Sequence, residues 1–142
     1  MSDVADEIVV GEADAALDQA LSDGLDAVNE AATTGITAQR ELTVSLRDER
    51  GVVGGVSGWT WGTCAGIGMV WLRDDARGTG LGARLMTAFE DQARERGCVQ
   101  VLVSSFTFQA PGFYESLGYA EFARSEGLPV AGHADVHFRK DL

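Results

Sequence analysis

Apolar residues near the start of the chain recur at the spacing of one helix face. The members of this stripe are Leu17, Leu21, Leu25 and Val28. Acidic residues lie outside the stripe, at Asp18, Asp23, Asp26 and Glu30. Asp14 is a suitable N-cap, and Gly35 breaks the pattern after two threonines. We therefore predict a short extended start at residues 8–10, followed by an amphipathic, acidic helix.

After this helix, the pattern changes to the alternation and β-prone runs that are typical of strands. The predicted strands are residues 41–46, 52–61, 64–72, 98–106, 119–124 and 134–140. A second helix follows the third of these strands and ends at Gly97, with an apolar face formed by Leu81, Leu85, Ala88, Phe89 and Ala93. A short third helix covers residues 111–117. The order of elements predicts a mixed sheet flanked by helices, in an α/β or α+β layered fold.

The length of 142 residues is typical of one domain with one hydrophobic core, so we predict a single domain over residues 1–142. No run of apolar residues approaches the roughly 18 needed to span a membrane, and the N-terminus is acidic. A soluble, cytoplasmic protein without membrane contact is expected. Cys64 and Cys98 are not at a spacing that metals use, so we expect no metal site and two reduced thiols.

Charge excludes one class of partner. The 11 basic and 22 acidic residues give a net charge of −11, which argues against binding to nucleic acid. Most of the imbalance lies in residues 1–50, where 12 acidic and 3 basic residues give −9. Lys140 is the only lysine beside ten arginines, a bias that a high-GC genome or a salt-adapted host explains as well as a function does.

A glycine-rich turn between the third predicted strand and the second helix is the most informative segment. It reads Arg77-Gly78-Thr79-Gly80-Leu81-Gly82. Consecutive backbone NH groups at a helix N-terminus, free of side chains, can hold phosphate oxygens. A tight connection is the alternative reading. A Walker A loop is excluded because Gly-Lys-Ser/Thr is missing, and the third glycine comes one residue too early for a dinucleotide fingerprint.

Two motifs together resemble those of the GNAT superfamily of acetyl-CoA-dependent N-acetyltransferases. The glycine turn matches the pattern Arg/Gln-x-x-Gly-x-Gly/Ala. The second motif, which begins about thirty residues later, reads Ala110-Pro111-Gly112-Phe113-Tyr114-Glu115-Ser116-Leu117-Gly118-Tyr119. The resemblance implies a mixed, mostly antiparallel sheet that splays between its fourth and fifth strands, here residues 64–72 and 98–106 when residues 8–10 are counted as the first. A bulge at Gly66 or Gly68 would suit that splay.

The same resemblance implies acetyl-CoA as cosubstrate and assigns residues to it. The turn amides, with Arg77, would hold the pyrophosphate; the residues concerned are Gly78, Thr79, Gly80, Leu81 and Gly82. The pantetheine arm would pair with the backbone around Val70 and Leu72, and the NH of Val70 would polarise the thioester. Thr107 stands where the family often has an asparagine that contacts the cofactor.

Tyr114 occupies the position of a general acid in many family members, where a phenol would protonate the departing thiolate. Its alternative role is packing in the helix. No aspartate or glutamate lies in residues 52–72, where the family often carries its general base. The base is therefore either a water chain or His133, which is followed at alternate positions by Asp135 and His137. A plain surface histidine is the other reading.

Aromatic residues suggest the acceptor pocket. We predict that Trp59, Trp61 and Phe108 line it, although indoles in strands also serve as core. An aromatic pocket favours a cationic amine with an apolar body. In the family the first helix borders the acceptor side, so its acids would attract such amines; salt adaptation is the rival explanation.

The resemblance thus predicts an N-acetyltransferase in which the amine attacks acetyl-CoA directly within a ternary complex. We expect a small-molecule or peptide amine as acceptor and a monomeric or homodimeric protein. The alternative, a non-catalytic acetyl-CoA-binding sensor or partner-docking module, stays open because the carboxylate base is missing.

Overall fold

The computed structural model describes residues 7–142. The chain divides into two compact units, Met1–Ile36 and Thr37–Leu142. The first unit contains helix α1 (Ala15–Ala32), whose first turn is capped as predicted, because the Asp14 carboxylate accepts a 3.0 Å hydrogen bond from the Leu17 NH. The prediction of an extended element at residues 8–10 was wrong in one respect, since no strand forms there. A strand needs a pairing partner, and apolar residues alone do not provide one.

The second unit contains six strands and two α-helices. In chain order these are β1 (Arg40–Asp48), β2 (Gly51–Trp61), β3 (Cys64–Leu72), α2 (Leu81–Glu95), β4 (Gln100–Phe106), α3 (Pro111–Ser116), β5 (Ala120–Glu126) and β6 (Ala134–Asp141). All six predicted strands are present, with ends that differ by a few residues. None of the helices in residues 7–142 combines the length and the hydropathy that membrane crossing requires.

The strands form one sheet in the order β1-β2-β3-β4-β6-β5. Every neighbouring pair is antiparallel except β3 and β4, which are parallel. The prediction of a mixed, mostly antiparallel sheet is confirmed. The last strand lies between β4 and β5, so side chains of β4, β6 and β5 lie next to one another on each face of the sheet.

The sheet separates between β3 and β4. The two strands pair only over residues 64–67 and 100–103, although β3 continues to Leu72 and β4 to Phe106. A bulge lies at the point of separation: Met69 is opposite Ser57 and Ile67 is opposite Gly58, so Gly68 has no partner on β2. Because a bulge bends and twists its strand, it turns the end of β3 away from β4. The predicted splay is confirmed, and Gly68 is the bulged residue.

Helix α2 covers one face of the sheet with an apolar stripe that packs on β1 and β2. Its buried residues include Leu81, Leu85, Met86, Phe89 and Ala93. Ala88, which we predicted on this face, is exposed, because the buried positions follow the 3.6-residue period through Met86 instead. Val101, Val103, Val136 and Phe138 are the buried residues of β4 and β6 in the same core.

Candidate active site

A cavity of about 690 Å³ opens where β3 and β4 part. Its walls come from the free end of β3, from β4, from the glycine turn and from α3. The lining residues used below are Val70, Leu72, Arg77, Gly78, Ser104, Phe108, Phe113 and Tyr114. The cavity lies on the face of the sheet that α2 and α3 cover, since Tyr114 packs against Phe138 in the core.

The glycine turn presents free backbone donors at the start of α2. Gly78 (φ 73°) and Gly80 (φ 81°) adopt the left-handed conformation that favours glycine. Among the described residues, no carbonyl or side chain accepts a hydrogen bond from the NH of Gly78, Gly80 or Gly82. Unpaired amides at the positive end of a helix dipole form an anion site. Such a cradle fits a pyrophosphate group.

Gly82 is required for a different reason. A Cβ at this position would lie 3.2 Å from the Phe113 ring and 3.2 Å from the Leu72 side chain. Both distances are shorter than ordinary van der Waals contact. The absence of a side chain therefore lets the start of α2 approach β3 and α3 closely.

Arg77 lies at the rim of the cavity. Its Nε donates to the Leu72 carbonyl at 3.2 Å, and its Nη1 lies 2.9 Å from Asp74 Oδ1. The guanidinium is more than half exposed, so solvent and anions can reach it. The Leu72 carbonyl thus fixes a positive charge beside the glycine turn.

The free end of β3 directs backbone groups into the cavity. The Arg73 NH donates to the Val53 carbonyl of β2, which makes this a hydrogen-bonded pair. Because backbone groups alternate along a strand, those of Leu72 and Val70 point away from β2 and towards the gap. The bond from Arg77 to the Leu72 carbonyl agrees with this orientation. The end of β3 can therefore accept an extended chain as if it were another strand.

Tyr114 is almost fully buried in α3, with 8% of its surface exposed, and its ring contacts those of Phe113, Tyr119 and Phe138. Burial raises the pKa of its phenol above the usual value of 10. The hydroxyl therefore keeps its proton at neutral pH. It forms no hydrogen bond to another residue of the described chain, and the side chain lines the cavity.

A second cavity, of about 360 Å³, lies on the opposite face of the sheet. Leu102, Ser104 and His137 belong to that face, because they alternate with the buried residues of their strands. Gly66 belongs to it as well, because it alternates with the core residues Ala65 and Ile67. The indole of Trp59 lies over Gly66, where any side chain would collide with it. Phe122 and His137 complete the wall.

The two cavities meet at the splay. Four residues line both: Ile67, Gly68, Val103 and Ser104. A molecule on the helix-covered face and a molecule on the opposite face can therefore touch each other between β3 and β4. Such an arrangement suits a reaction between two substrates that arrive from opposite sides.

The structure brings some predicted site residues together and separates others. Six of the predicted site residues line the first cavity: Val70, Leu72, Arg77, Gly78, Phe108 and Tyr114. The other predicted residues of the glycine turn follow Gly78 directly in the chain: Thr79, Gly80, Leu81 and Gly82. Trp59 lines the second cavity, whereas Trp61 lines neither. The proposed acceptor residues Trp59 and Phe108 thus lie on different faces of the sheet.

Thr107 and His133 lie beside each other, outside both linings. Thr107 Oγ1 accepts from the Ala134 NH at 3.1 Å and lies 3.3 Å from His133 Nδ1. The Thr107 NH donates to the Ala134 carbonyl at 2.9 Å. These contacts join the end of β4 to the start of β6. The threonine hydroxyl is engaged there, and the His133 and Phe108 rings pack nearly perpendicular to each other, with centroids 5.1 Å apart.

His137, Ser104 and Phe122 are three lining residues that matter for the chemistry and that were not predicted as site residues from the sequence. The alternation of His133, Asp135 and His137 placed His137 on a strand face, which was the only available signal. Its neighbours were not predictable, because they depend on the insertion of β6 between β4 and β5.

Comparison with known proteins agrees with this geometry. Residues 13–119 match the model of the Acetyltransferase (GNAT) family. A blasticidin-S acetyltransferase from Streptomyces morookaense is 44% identical over 70 residues, which is 49% of this chain and 48% of that protein. The matched segment thus spans about half the length of this relative. An acetyltransferase from Agrobacterium fabrum is 30% identical over 110 residues, covering 77% of this chain and 80% of the relative.

A solved structure extends the similarity to the fold. The crystal structure of an acetyltransferase from Bacillus cereus superposes with a TM-score of 0.81 at 28% sequence identity, over 95% of this chain and 98% of that one. The two motifs, the splayed sheet and the family match over residues 13–119 agree with one another. The chain belongs to the GNAT acetyltransferase family.

Proposed function

We propose that this protein transfers the acetyl group of acetyl-CoA to a primary amine by direct attack within a ternary complex. The observation that carries the proposal is the meeting of two cavities at Gly68 and Ser104, between the parted strands. Acetyl-CoA would occupy the cavity on the helix-covered face and the amine the cavity on the opposite face. Acetyl-CoA-dependent acyl transfer is the chemistry of the family.

The groups around the first cavity support its assignment to the cosubstrate. The free amides of Gly78, Gly80 and Gly82 would hold its pyrophosphate, with Arg77 as a counter-charge. The pantetheine amides would pair with the outward-facing backbone groups of Val70 and Leu72. Thr107 would act indirectly, because its hydroxyl joins β4 to β6.

In the chemical step, the amine nitrogen forms a bond to the thioester carbonyl carbon while the bond from that carbon to sulfur breaks. The Val70 NH, which points into the gap, would stabilise the negative charge on the carbonyl oxygen. Tyr114 would donate its phenolic proton to the departing sulfur, and the resulting phenolate would regain, through solvent, the proton that the attacking nitrogen loses as it becomes an amide. The burial that raises the pKa of Tyr114 keeps that proton available at neutral pH.

The acceptor is a proposal at the level of chemical class. The similarity to a blasticidin-S acetyltransferase over half of the chain supports a small-molecule amine, and a peptide amine fits the same chemistry. Trp59 and Phe122 give the second cavity aromatic walls, which favour an amine carried on an apolar body. The single domain over residues 1–142, the cytoplasmic location and a monomeric or homodimeric state stay predictions.

A non-catalytic acetyl-CoA-binding module is the second candidate. It is favoured by one observation: neither cavity lining in the described chain contains an aspartate or a glutamate. Release of free thiol from acetyl-CoA in the presence of an amine panel that includes blasticidin S, run beside calorimetric binding of acetyl-CoA, separates the two. Binding without thiol release for any amine would support the sensor.

A further inference from the structure

The imidazole of His137 connects three strands on the face of the second cavity. Its Nδ1 lies 2.8 Å from Ser104 Oγ on β4, and its Nε2 lies 3.0 Å from Ser125 Oγ on β5. Ser104 is directly opposite His137 in the β4–β6 register. Both ring nitrogens therefore have hydroxyl partners, and a neutral imidazole satisfies both by donating to one and accepting from the other.

Ser104 lies where the two cavities meet. It follows Val103, the last residue of β4 that pairs with β3, and it lines both cavities. The residue is exposed, and it borders the space in which the acceptor amine and the thioester would touch. His137, one hydrogen bond further away, lines only the second cavity.

Among the residues that line either cavity, His137 has the one side chain with the chemistry of a general base. The other ionisable lining residues are Arg77, which is always charged, and Tyr114, which carries its proton. His133 lines neither cavity and contacts Thr107 instead. The contacts therefore favour His137 as the base. The sequence had suggested His133 instead, because the carboxylate base of the family is missing.

We propose that Ser104, His137 and Ser125 form a proton relay that deprotonates the acceptor; the proposal rests on the acetyl transfer proposed above. The ammonium of the bound acceptor gives a proton to Ser104 Oγ while the Ser104 hydroxyl proton moves to His137 Nδ1. The products of this step are a neutral amine, an unchanged serine and an imidazolium whose Nε2–H donates to Ser125 Oγ. The neutral amine then attacks the thioester, and the imidazolium loses its proton to solvent.

Few charges face this imidazole. Asp135 and Arg139 flank it at alternate positions on β6, and Arg139 is paired with Asp141 at 3.0 Å. The neighbours on the other strands are uncharged: Leu102 and Phe106 on β4, Phe122 and Ala123 on β5, and Trp59 and Gly66 across the cavity. Asp135 is thus the one acidic residue among these described neighbours of His137.

The test compares His137→Asn and Ser104→Ala with the unmodified enzyme. Asparagine can keep a hydrogen bond to Ser104 but cannot take up a proton. With an aliphatic amine, which is protonated at neutral pH, we expect kcat/KM to fall by a factor of about 10² in His137→Asn and by a similar factor in Ser104→Ala. The loss shrinks as pH rises and free amine becomes available. An aromatic amine, which is unprotonated at neutral pH, loses much less.

Controls separate this mechanism from damage to the site. Ser45→Ala is the matched serine change, because Ser45 is an exposed residue of β1. Acetyl-CoA affinity and thermal unfolding are measured for every variant. An equal loss with both amines at every pH, a larger loss in His133→Asn than in His137→Asn, or acetylation of Ser104 itself would overturn the relay. Absence of transfer by the unmodified enzyme, with acetyl-CoA bound, would instead overturn the proposed function and the relay with it.

Discussion

Lys140, which is partly buried, and Glu90, which is buried, form an ion pair: the Lys140 Nζ lies 3.0 Å from Glu90 Oε1 and 3.2 Å from Oε2. Tyr119 donates its hydroxyl proton to Glu90 Oε2 at 2.6 Å. Glu90 is only 4% exposed, so both of its carboxylate oxygens depend on these two partners. The only lysine of the chain thereby fixes the middle of α2 to β6 and to the segment that follows α3.

Removal of the positive charge leaves the buried carboxylate without compensation. Lys140→Met retains most of the side-chain volume, and we expect it to lower the free energy of unfolding by about 3 kcal/mol. Chemical denaturation measures this change. The double variant Lys140→Met/Glu90→Gln keeps an acceptor for Tyr119 without the charge and is expected to recover part of the loss. A single variant as stable as the unmodified protein would contradict the interpretation.

The buried position of Tyr119 predicts how the free energy of unfolding changes at alkaline pH. Burial and, to a lesser degree, the hydrogen bond to Glu90 raise the pKa of Tyr119 well above its usual value of 10. A raised folded-state pKa contributes stability that is present below pH 10 and is lost as pH rises from there towards the folded value. We expect the urea midpoint to fall above about pH 10, with a smaller slope in Tyr119→Phe. An identical slope in both proteins would exclude this cause.

The anion cradle is tested at Gly80 with two substitutions of nearly equal size. Asparagine tolerates the left-handed conformation and is neutral, whereas aspartate adds a negative charge beside the phosphate site. We expect Gly80→Asp to abolish calorimetric binding of coenzyme A, and Gly80→Asn to weaken it much less. Gly82→Asp is expected to abolish binding too, although contact with Phe113 contributes there. Equal binding by the aspartate and asparagine variants at position 80 would contradict the cradle.

Tyr114→Phe removes a proton donor and preserves the ring packing. We expect kcat to fall by a factor of about 10², with acetyl-CoA affinity nearly unchanged. Tyr119→Phe is the matched control, because it makes the same change in a neighbouring buried tyrosine that lines neither cavity. An unchanged kcat in Tyr114→Phe, with chemistry shown to limit the rate, would assign Tyr114 to packing.

The net charge of −11 predicts a salt effect on the acceptor. If the negative field attracts cationic amines, kcat/KM for such an amine falls as ionic strength rises from about 0.01 to 1 M, while that for a neutral amine stays flat. A parallel rise for both acceptors would instead indicate adaptation to salt.

Local patterns in the sequence were sufficient to predict the glycine turn and the strand content, because both depend on neighbouring residues. The splay followed from the family resemblance, and Gly68 at the bulge agreed with it. Alternation also placed His137 on a strand face. The Ser104–His137 contact was not predictable, since it depends on the pairing of β6 with β4 across 33 residues. The missing strand at residues 8–10 has the same cause: strand formation depends on a partner that local sequence does not specify.

The short pairing of β3 with β4 has a consequence for the protein without its substrates. Beyond Ile67, the edge of β3 that faces β4 is not paired with another strand, although it lies in the middle of the sheet, where strand pairing is continuous in most proteins. Apart from the Leu72 carbonyl, which accepts from Arg77 Nε, the outward-facing backbone groups of this edge can be satisfied only by water or by a strand-like ligand. Acetyl-CoA bound along Val70 and Leu72 would therefore complete the sheet as well as supply the acetyl group. The same hydrogen bonds would then contribute to the affinity for acetyl-CoA and hold the two halves of the sheet together.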